Sequence, residues 1–598
     1  MMKDIRRSHM CGEVSVADLA KTVTLNGWVH SWRDHGGVIF MDLRDYTGLV
    51  QVVFDPEVDK DSHALADTIR SEFVIGVRGE VKRRDPESIN PKIKTGEIEV
   101  KVKAVEILNK SHTPPFELSD DTANVGEEHR LKYRYVDLRR PSIQKHIINR
   151  HKLVQSARKF LDANRFFEIE TPILNKSTPE GARDYLVPSR INAGKFFALP
   201  QSPQLFKQIL MIAGFDRYYQ VAKCFRDEDL RKDRQPEFTQ LDLEFSFVTE
   251  DDIMDLMEKL WAQVLKDNYG LDVKLPVKRI TFDEAISKYG TDSPDLRYEM
   301  ELKDISDIGL KSDFQVFKNV IEKGGICWAV NAKGGAKFSR KDLDEDLKAF
   351  VGIYGAKGLA WAKVVGGKLE SVIAKFFNED LQKEMIKRLG AEDGDCIMFV
   401  ADKKKVVHEA LANLREKLAE MLGLIKEDDM SFVWIYDFPL FQWDEEGKRW
   451  AAVHHPFTSP KPEDIEPLLS DKIADADMGN LKSASYDLVL NGIELGGGSI
   501  RIHNSDLQMK ILNILKIGEA EAKEKFGFLL EALQYGAPPH GGIAFGIDRV
   551  MMLMEKTASI RDVIAFPKTQ KALCLMSDAP GDVSKRQLDD LHIKVLEV

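Results

Sequence analysis

Cys224-Phe225-Arg226-Asp227-Glu228-Asp229-Leu230-Arg231-Lys232-Asp233-Arg234-Gln235-Pro236-Glu237-Phe238-Thr239-Gln240-Leu241-Asp242-Leu243-Glu244 reads as two short strands, 218–225 and 237–247, joined by a loop crowded with both signs of charge. Alternation puts Phe238, Gln240, Asp242 and Glu244 on one face of the second strand and Leu241, Leu243 and Phe245 on the other. A strand that sets an aromatic ring beside two carboxylates presents a site. Taken alone, the loop would be a solvated hairpin with paired surface charges. Arg226, where the first strand ends, can grip a phosphate bidentately, and Phe238 offers a flat face to a purine.

Outward from this hairpin the chain is an ordinary globular one. Its 598 residues are 43% hydrophobic and 31% charged, enough for roughly four domains. No run approaches a membrane span, and 1–10 is too polar for a signal peptide, so a cytoplasmic protein is expected. Cys11, Cys224, Cys327, Cys396 and Cys574 are scattered without a CxxC pair, which indicates neither a disulfide framework nor a structural zinc site. The net charge of -11 argues against indiscriminate coating of nucleic acid but leaves room for a local basic face.

Towards the amino end, 22–31, 38–45, 48–54, 73–82 and 97–108 read as strands, with one helical stretch at 62–70 and turn signals at Gly36-Gly37 and Asn90-Pro91. Five strands with one helix predict an OB barrel, and Arg33, Phe40 and Gln51 lie where such a barrel binds single-stranded RNA. Pattern alone would place Phe40 in the core. A linker with Pro114-Pro115 follows, then the basic stretch 130–140, which is either a solvated hinge or a contact for RNA phosphates.

Ile143 to Asn164 predicts an amphipathic helix that runs into the strand Phe166-Phe167-Glu168-Ile169-Glu170-Thr171 and stops at Pro172. A turn-forming segment, Ser177 to Tyr185, precedes Ser202, Gln204 and Lys207 at a strand-to-helix turn. Between about 298 and 424 the character changes to two α/β-like units that carry no catalytic constellation. His454-His455 has no further ligands at metal spacing. Asp487 and Glu494 fold towards each other through a turn at Asn491-Gly492, and Gly496-Gly497-Gly498 would let a ligand approach the backbone closely. In Gly546-Ile547-Asp548-Arg549, Gly546 permits tight passage and Arg549 presents a guanidinium at a helix start.

Phe225 to Asp242 resembles motif 2 of the class II aminoacyl-tRNA synthetases, and most closely the bacterial aspartyl type. The helix and strand ending at Pro172 resemble motif 1, and Pro538 to Val550 resembles motif 3. These three in order, with Gly496-Gly497-Gly498-Ser499-Ile500-Arg501 between the last two, extend the resemblance over nearly the whole chain. It implies an α+β multidomain protein: an OB-fold anticodon-binding domain over 1–108, a hinge over 109–140, an antiparallel-sheet catalytic domain over 141–298 and 425–598 with a C-terminal extension, and an inserted α/β domain over 299–424 that is structural or touches tRNA.

The resemblance further implies ATP-dependent attachment of L-aspartate to tRNA through an aspartyl-adenylate. Arg226 would hold the α-phosphate and Arg549 the γ-phosphate as the catalytic cations, while Asp487 and Glu494 bind Mg2+. Asp227, Glu228, Gln235, Phe238, Glu494, Gly546, Ile547 and Asp548 would complete the ATP site. Aspartate would meet Glu180, Ser202, Gln204, Lys207, Arg226, Asp242, His454 and Arg501. Lys207 and Arg501 would take its side-chain carboxylate, so that asparagine would leave a buried charge unpaired; Asp242 and Glu180 would take its ammonium, and His455 is read as packing. His30, Arg33, His35, Phe40 and Gln51 would meet the anticodon. His30 and the Asp34 to Gly37 turn resemble enzymes that charge both tRNA(Asp) and tRNA(Asn) and supply an amidotransferase. Motif 1 implies a homodimer. A strictly tRNA(Asp)-specific enzyme, an asparaginyl or lysyl relative, and a non-catalytic RNA-binding protein are the competing readings; the presence of Arg226 and Arg549 weighs against the last.

Overall fold

The computed structural model describes residues 6–119, 125–178, 181–426, 428–470 and 472–596. Packing divides the chain into two units. One runs from the amino end to Ile148 and includes Ile564–Gly581; the other is Asn149–Val563 with the residues from Asp582 on.

The first unit holds a closed barrel of β1 (Thr22–His35), β2 (Val38–Asp45), β3 (Gly48–Phe54), β4 (Val74–Arg83) and β5 (Ile98–Asn109), in the order β1-β2-β3-β5-β4. Period-2 alternation drives the closure, because Val23, Leu25, Ile39, Met41, Val50, Val52, Ile75, Val77 and Val100 all point into one core. A bulge between Val29 and Ser31 in β1 reverses the parity. Beyond it Trp32 packs on the core, while Ser31 and Arg33 both reach Asp42 on the outside.

The second unit is built on an eight-stranded sheet: β6 (Phe167–Glu168), β7 (Arg217–Phe225), β8 (Glu237–Ser246), β9 (Lys278–Thr281), β10 (Phe432–Tyr436), β11 (Ser485–Leu490), β12 (Ile493–Ile500) and β13 (His540–Gly546). Their order is β9-β10-β11-β12-β13-β8-β7-β6, antiparallel except at the two outermost pairs. The strand expected over 166–171 is paired only at Phe167–Glu168.

Between β9 and β10 lies a separate five-stranded sheet with Cys396–Asp402 between Ile326–Ala332 and Ala360–Val365, antiparallel to both. The two α/β-like units expected there are therefore one antiparallel sheet with helices on both faces. Trp328, Val330, Met398 and Val400 pack against the helix Lys404–Leu422, and Cys327, Ala329, Ile397 and Phe399 face Phe317, Met385 and Leu389.

At the centre of the large sheet Glu244 of β8 pairs with Gly542 of β13. A Cβ on Gly542 would lie 1.8 Å from Glu244 Oε2 and 2.3 Å from the Leu243 carbonyl, so glycine is what admits this carboxylate. Gly542→Ala is expected to lower stability by about 1–3 kcal/mol through overpacking. Gly352→Ala, in a helix where an added Cβ meets nothing within 4 Å, should be neutral or stabilising. Urea midpoints of the two variants check the contrast.

Candidate active site

A cleft of about 420 Å³ opens on the sheet where β8, β11, β12 and β13 meet the helices Gln204–Ile212 and Ile547–Met554. Of the residues expected to bind, Ser202, Gln204, Lys207, Arg226, Glu228, Gln235, Phe238, Asp242, His454, Asp487, Glu494, Arg501, Gly546, Asp548 and Arg549 line it. Glu180 lies outside the described residues.

The floor is an ion-pair network with almost no solvent contact. Arg501 Nε and Nη2 donate to the two carboxylate oxygens of Glu244 at 3.0 and 3.2 Å. Lys207 Nζ lies 3.0 Å from Asp242 and 3.4 Å from Glu244. Lys207 and Arg501 are 1% and 2% exposed, Asp242 and Glu244 not at all. Burial pushes the Asp242 carboxyl up to about 6 against the pull of Lys207. Burial would raise Glu244 too, but Arg501 and Lys207 outweigh it and hold that carboxyl below its usual value. Lys207 and Arg501, expected to take the side-chain carboxylate of aspartate, are in this structure each paired with a carboxylate of the chain itself. Asp242, expected to take the ammonium, is in this structure a partner of Lys207.

The paired histidines divide. His454 Nε2 lies 3.6 Å from Asp487, and its ring meets Phe438 edge-on. Burial alone would lower its pKa, but the Asp487 carboxylate prevails and raises it. His455, read from the sequence as packing, also lines the cleft, and its Nε2 accepts from Arg501 Nη1 at 2.7 Å.

At the other end Arg226 stacks over the Phe238 ring at 5.1 Å, and its buried Nε has no hydrogen-bond partner among the described residues. A cation without a counter-ion beside an aromatic face suits an anionic ring-bearing ligand. Glu228 accepts from Arg234 at 3.0 Å, and Gln235 is buried. Arg549 donates to the Glu494 carbonyl at 3.2 Å and lies 3.3 Å from Asp233, which sequence reading passed over as one more loop charge. Two expected residues do not line the cleft, and a third, Asp548, lines it while also serving as a structural tie. Asp548 accepts from Arg150 and from the Thr239 amide, which ties the helix start to β8. Ile547 is buried and does not line the cleft; Asp227 also stays off it, lying 3.8 Å from Arg183.

Asp487 and Glu494 converge across the hairpin. A Cβ on Gly497 would lie 2.3 Å from Asp487 Oδ1 and 3.7 Å from Glu494 Oε1. At Gly496 and Gly498 it would strike the carbonyls of Ala544 and Gly542. The glycines thus admit the chain's own groups, and all three also line the cleft. Gly546 is the reverse case: a Cβ there meets nothing closer than 3.9 Å, so the tight passage expected of it is absent. Partial desolvation and then the Asp487 charge push the Glu494 carboxyl up to about 7. Among the described residues no three His, Cys, Asp or Glu side chains form a metal cluster.

On the barrel, Arg33, His35, Phe40 and Gln51 line one depression with Lys82, Arg83, Lys101, Lys103, Glu80, Asp85 and Glu99. Phe40 is half-buried on this open face, while Ile39 and Met41 beside it fill the core. His30, at the bulge, lines a different depression with Ser71 and Glu72, and its Nδ1 lies 3.1 Å from Arg44 Nη1. The geometry separates it from the other four.

Residues 126–570 match the family model of class II tRNA synthetases (D, K and N), and 23–108 match that of the OB-fold nucleic acid binding domain. The aspartate–tRNA(Asp/Asn) ligase of Desulfatibacillum aliphaticivorans is 57% identical over 100% of this chain and 98% of its own. The aspartate–tRNA ligase of Staphylococcus carnosus is 55% identical over 99% of each. Asparaginyl-tRNA synthetase from Pyrococcus horikoshii, solved with asparaginyl-adenylate, shares the fold at 19% identity, with a TM-score of 0.59 over 95% of this chain and 99% of its own. No helix among the described residues is long and apolar enough to cross a membrane. The chain belongs to the class II aminoacyl-tRNA synthetases, in their bacterial aspartyl branch.

Proposed function

We propose that the chain activates L-aspartate with ATP and transfers it to tRNA(Asp) and tRNA(Asn). The observation that carries this reading is one cleft with two unlike ends: a buried, charge-balanced cation floor, and an arginine without a counter-ion stacked on an aromatic ring.

The aspartate α-carboxylate attacks the α-phosphorus, the bond to the β-phosphate oxygen breaks, and pyrophosphate leaves. Anions are forced together, so cations must meet the growing charge. Arg226 takes the α-phosphate and Arg549 the γ-phosphate, while Phe238, Glu228 and Gln235 seat the adenosine. A terminal tRNA hydroxyl then displaces AMP from the acyl carbon. Asp487 and Glu494 would supply two hard oxygens to Mg2+, and a cation there would offset both the burial and the neighbouring Asp487 charge that raise the Glu494 carboxyl. Mg2+ there would neutralise phosphate charge.

Selection against asparagine does not come from stranded cations, since Glu244 and Asp242 already balance them. It would rest on the remaining Nη2 N–H of Arg501, which bonds a carboxylate more strongly than an amide oxygen. Ser202, Gln204, His454 and Glu180 complete the aspartate pocket. The apolar surface of Phe167, Ile173, Leu174, Leu186 and Phe196, all at least 47% exposed, suits burial in a homodimer. The chain works in the cytoplasm, as an OB domain over 1–108, a hinge over 109–140, and a catalytic domain interrupted by the insertion at 299–424.

Relaxed tRNA choice is favoured by the tRNA(Asp/Asn) ligases among its relatives. A strictly tRNA(Asp)-specific reading has support from the Staphylococcus relatives and from His30 facing away from Arg33 and Phe40. Relaxed choice implies an amidotransferase that consumes the aspartyl-tRNA(Asn). Aspartylation of purified tRNA(Asp) and tRNA(Asn) side by side decides between them: comparable charging is expected, and charging of tRNA(Asp) alone would overturn the relaxed reading.

Asp233 occupies Arg549 where the γ-phosphate would sit. The pair is 26% and 38% exposed, so it is worth about 0.2–1 kcal/mol. Asp233→Asn is expected to lower the KM for ATP by about 1.5–5-fold in pyrophosphate exchange, with the KM for aspartate unchanged; a raised KM for ATP would count against this placement.

A further inference from the structure

Arginine carries five N–H donors and no acceptor. In Arg501 four of them are engaged: Nε and one N–H of Nη2 by Glu244, and both N–H groups of Nη1, by His455 Nε2 and Ser499 Oγ at 2.7 Å each. One Nη2 N–H remains for a ligand.

A guanidinium cannot accept, so His455 Nε2 must present its lone pair to Nη1. The Phe457 amide is aimed at Nδ1 at 3.2 Å, so two N–H donors compete for the one lone pair of a neutral ring; the shorter, charge-assisted contact with Arg501 takes it, which leaves the proton on Nδ1 with Thr458 Oγ1 3.4 Å away to receive it. Burial and then the Arg501 charge hold this imidazole well below its usual range, so it stays neutral at physiological pH. The backbone fixes the pair from both sides. Thr458 and Arg501 form a β-bridge, the Ile502 amide donates to the Phe457 carbonyl at 2.9 Å, and the Ser459 amide donates to the Ile500 carbonyl at 2.9 Å. His455 is thereby anchored on the segment that lies against Arg501, whereas its neighbour His454 turns to Asp487.

We propose that His455 is a positioning residue for aspartate selection: by taking one Nη1 proton of Arg501 it fixes the guanidinium plane, so that the remaining Nη2 N–H meets the side-chain carboxylate of the bound amino acid. Glu244 by itself constrains one edge of the guanidinium. His455 and Ser499 constrain the far nitrogen and stop both of its donors from competing for the ligand. This rests on the reading that Arg501 receives that carboxylate.

The test is aspartate-dependent pyrophosphate exchange by the full chain carrying His455→Leu, His455→Gln, Ser499→Ala or Arg501→Lys. Loss of the acceptor in His455→Leu should raise the KM for aspartate roughly 10- to 100-fold, the size of a charge-assisted hydrogen bond, with the KM for ATP within about two-fold. His455→Gln, whose side-chain oxygen can reach the same nitrogen, should recover most of the loss. Ser499→Ala should give a smaller rise in the same direction, and it carries the test if the leucine variant does not fold. An unchanged KM for aspartate in both His455→Leu and Ser499→Ala, while Arg501→Lys raises it, overturns the role of His455 and leaves that of Arg501 standing. KM values for aspartate and ATP that rise together, without rescue by glutamine, also overturn it. An unchanged KM in Arg501→Lys sinks the underlying reading, and the role of His455 with it.

Discussion

Glu244 is a carboxylate with no solvent exposure between two cations. A lone buried ion of either sign would cost several kcal/mol, and a pair offsets that cost only with good geometry and filled donors. Those conditions dictate much of the surrounding structure. Gly542 must lack a side chain because the carboxylate fills the space, and Arg501 must arrive on the strand side that carries Ser499. His540, also without exposure, donates from Nδ1 to the Pro538 carbonyl at 2.8 Å beside the same strand pair. The central strands are thus glycine-rich where charge is packed and apolar where it is not.

The two ends of the cleft are prepared differently. The end that carries Lys207 and Arg501 is buried, its charges balanced by the protein's own carboxylates. The end that carries Arg549 is more exposed, and there Asp233 lies against Arg549 and Glu228 against Arg234. Such pairs are weak and can be exchanged for phosphate oxygens at small cost. Arg226 differs from both, its buried Nε having no hydrogen-bond partner among the described residues.

Much of this was legible before the coordinates. The barrel strands 38–45 and 48–54 fall where alternation put them, and the site face of β8 carries Phe238, Gln240 and Asp242 as the period of two requires. The failures have a common cause: local pattern cannot see which space a distant residue fills. Sequence proximity groups His30 with Arg33, but His30 lines a depression with Ser71 and Glu72, which are distant in the chain. His455 looked like packing because its partner is 46 residues on. Gly496 to Gly498 line the cleft, but nothing local shows that groups from β11 and β13 also press against them. The insertion looked like α/β because helices and strands alternate along the chain, whereas pairing order depends on where Cys396–Asp402 enters the sheet.

The central claim is that Glu244 is the counter-ion around which the site is assembled. Thermal melting of Glu244→Gln, with and without saturating aspartate or asparagine, tests it most directly. Removing one partner of a buried pair strands positive charge, so the variant should melt below the parent protein. Aspartate, whose side chain restores the missing charge, should raise its midpoint more than it raises the parent's, and asparagine should not. A variant that melts like the parent, or one that aspartate and asparagine stabilise equally, would contradict the account.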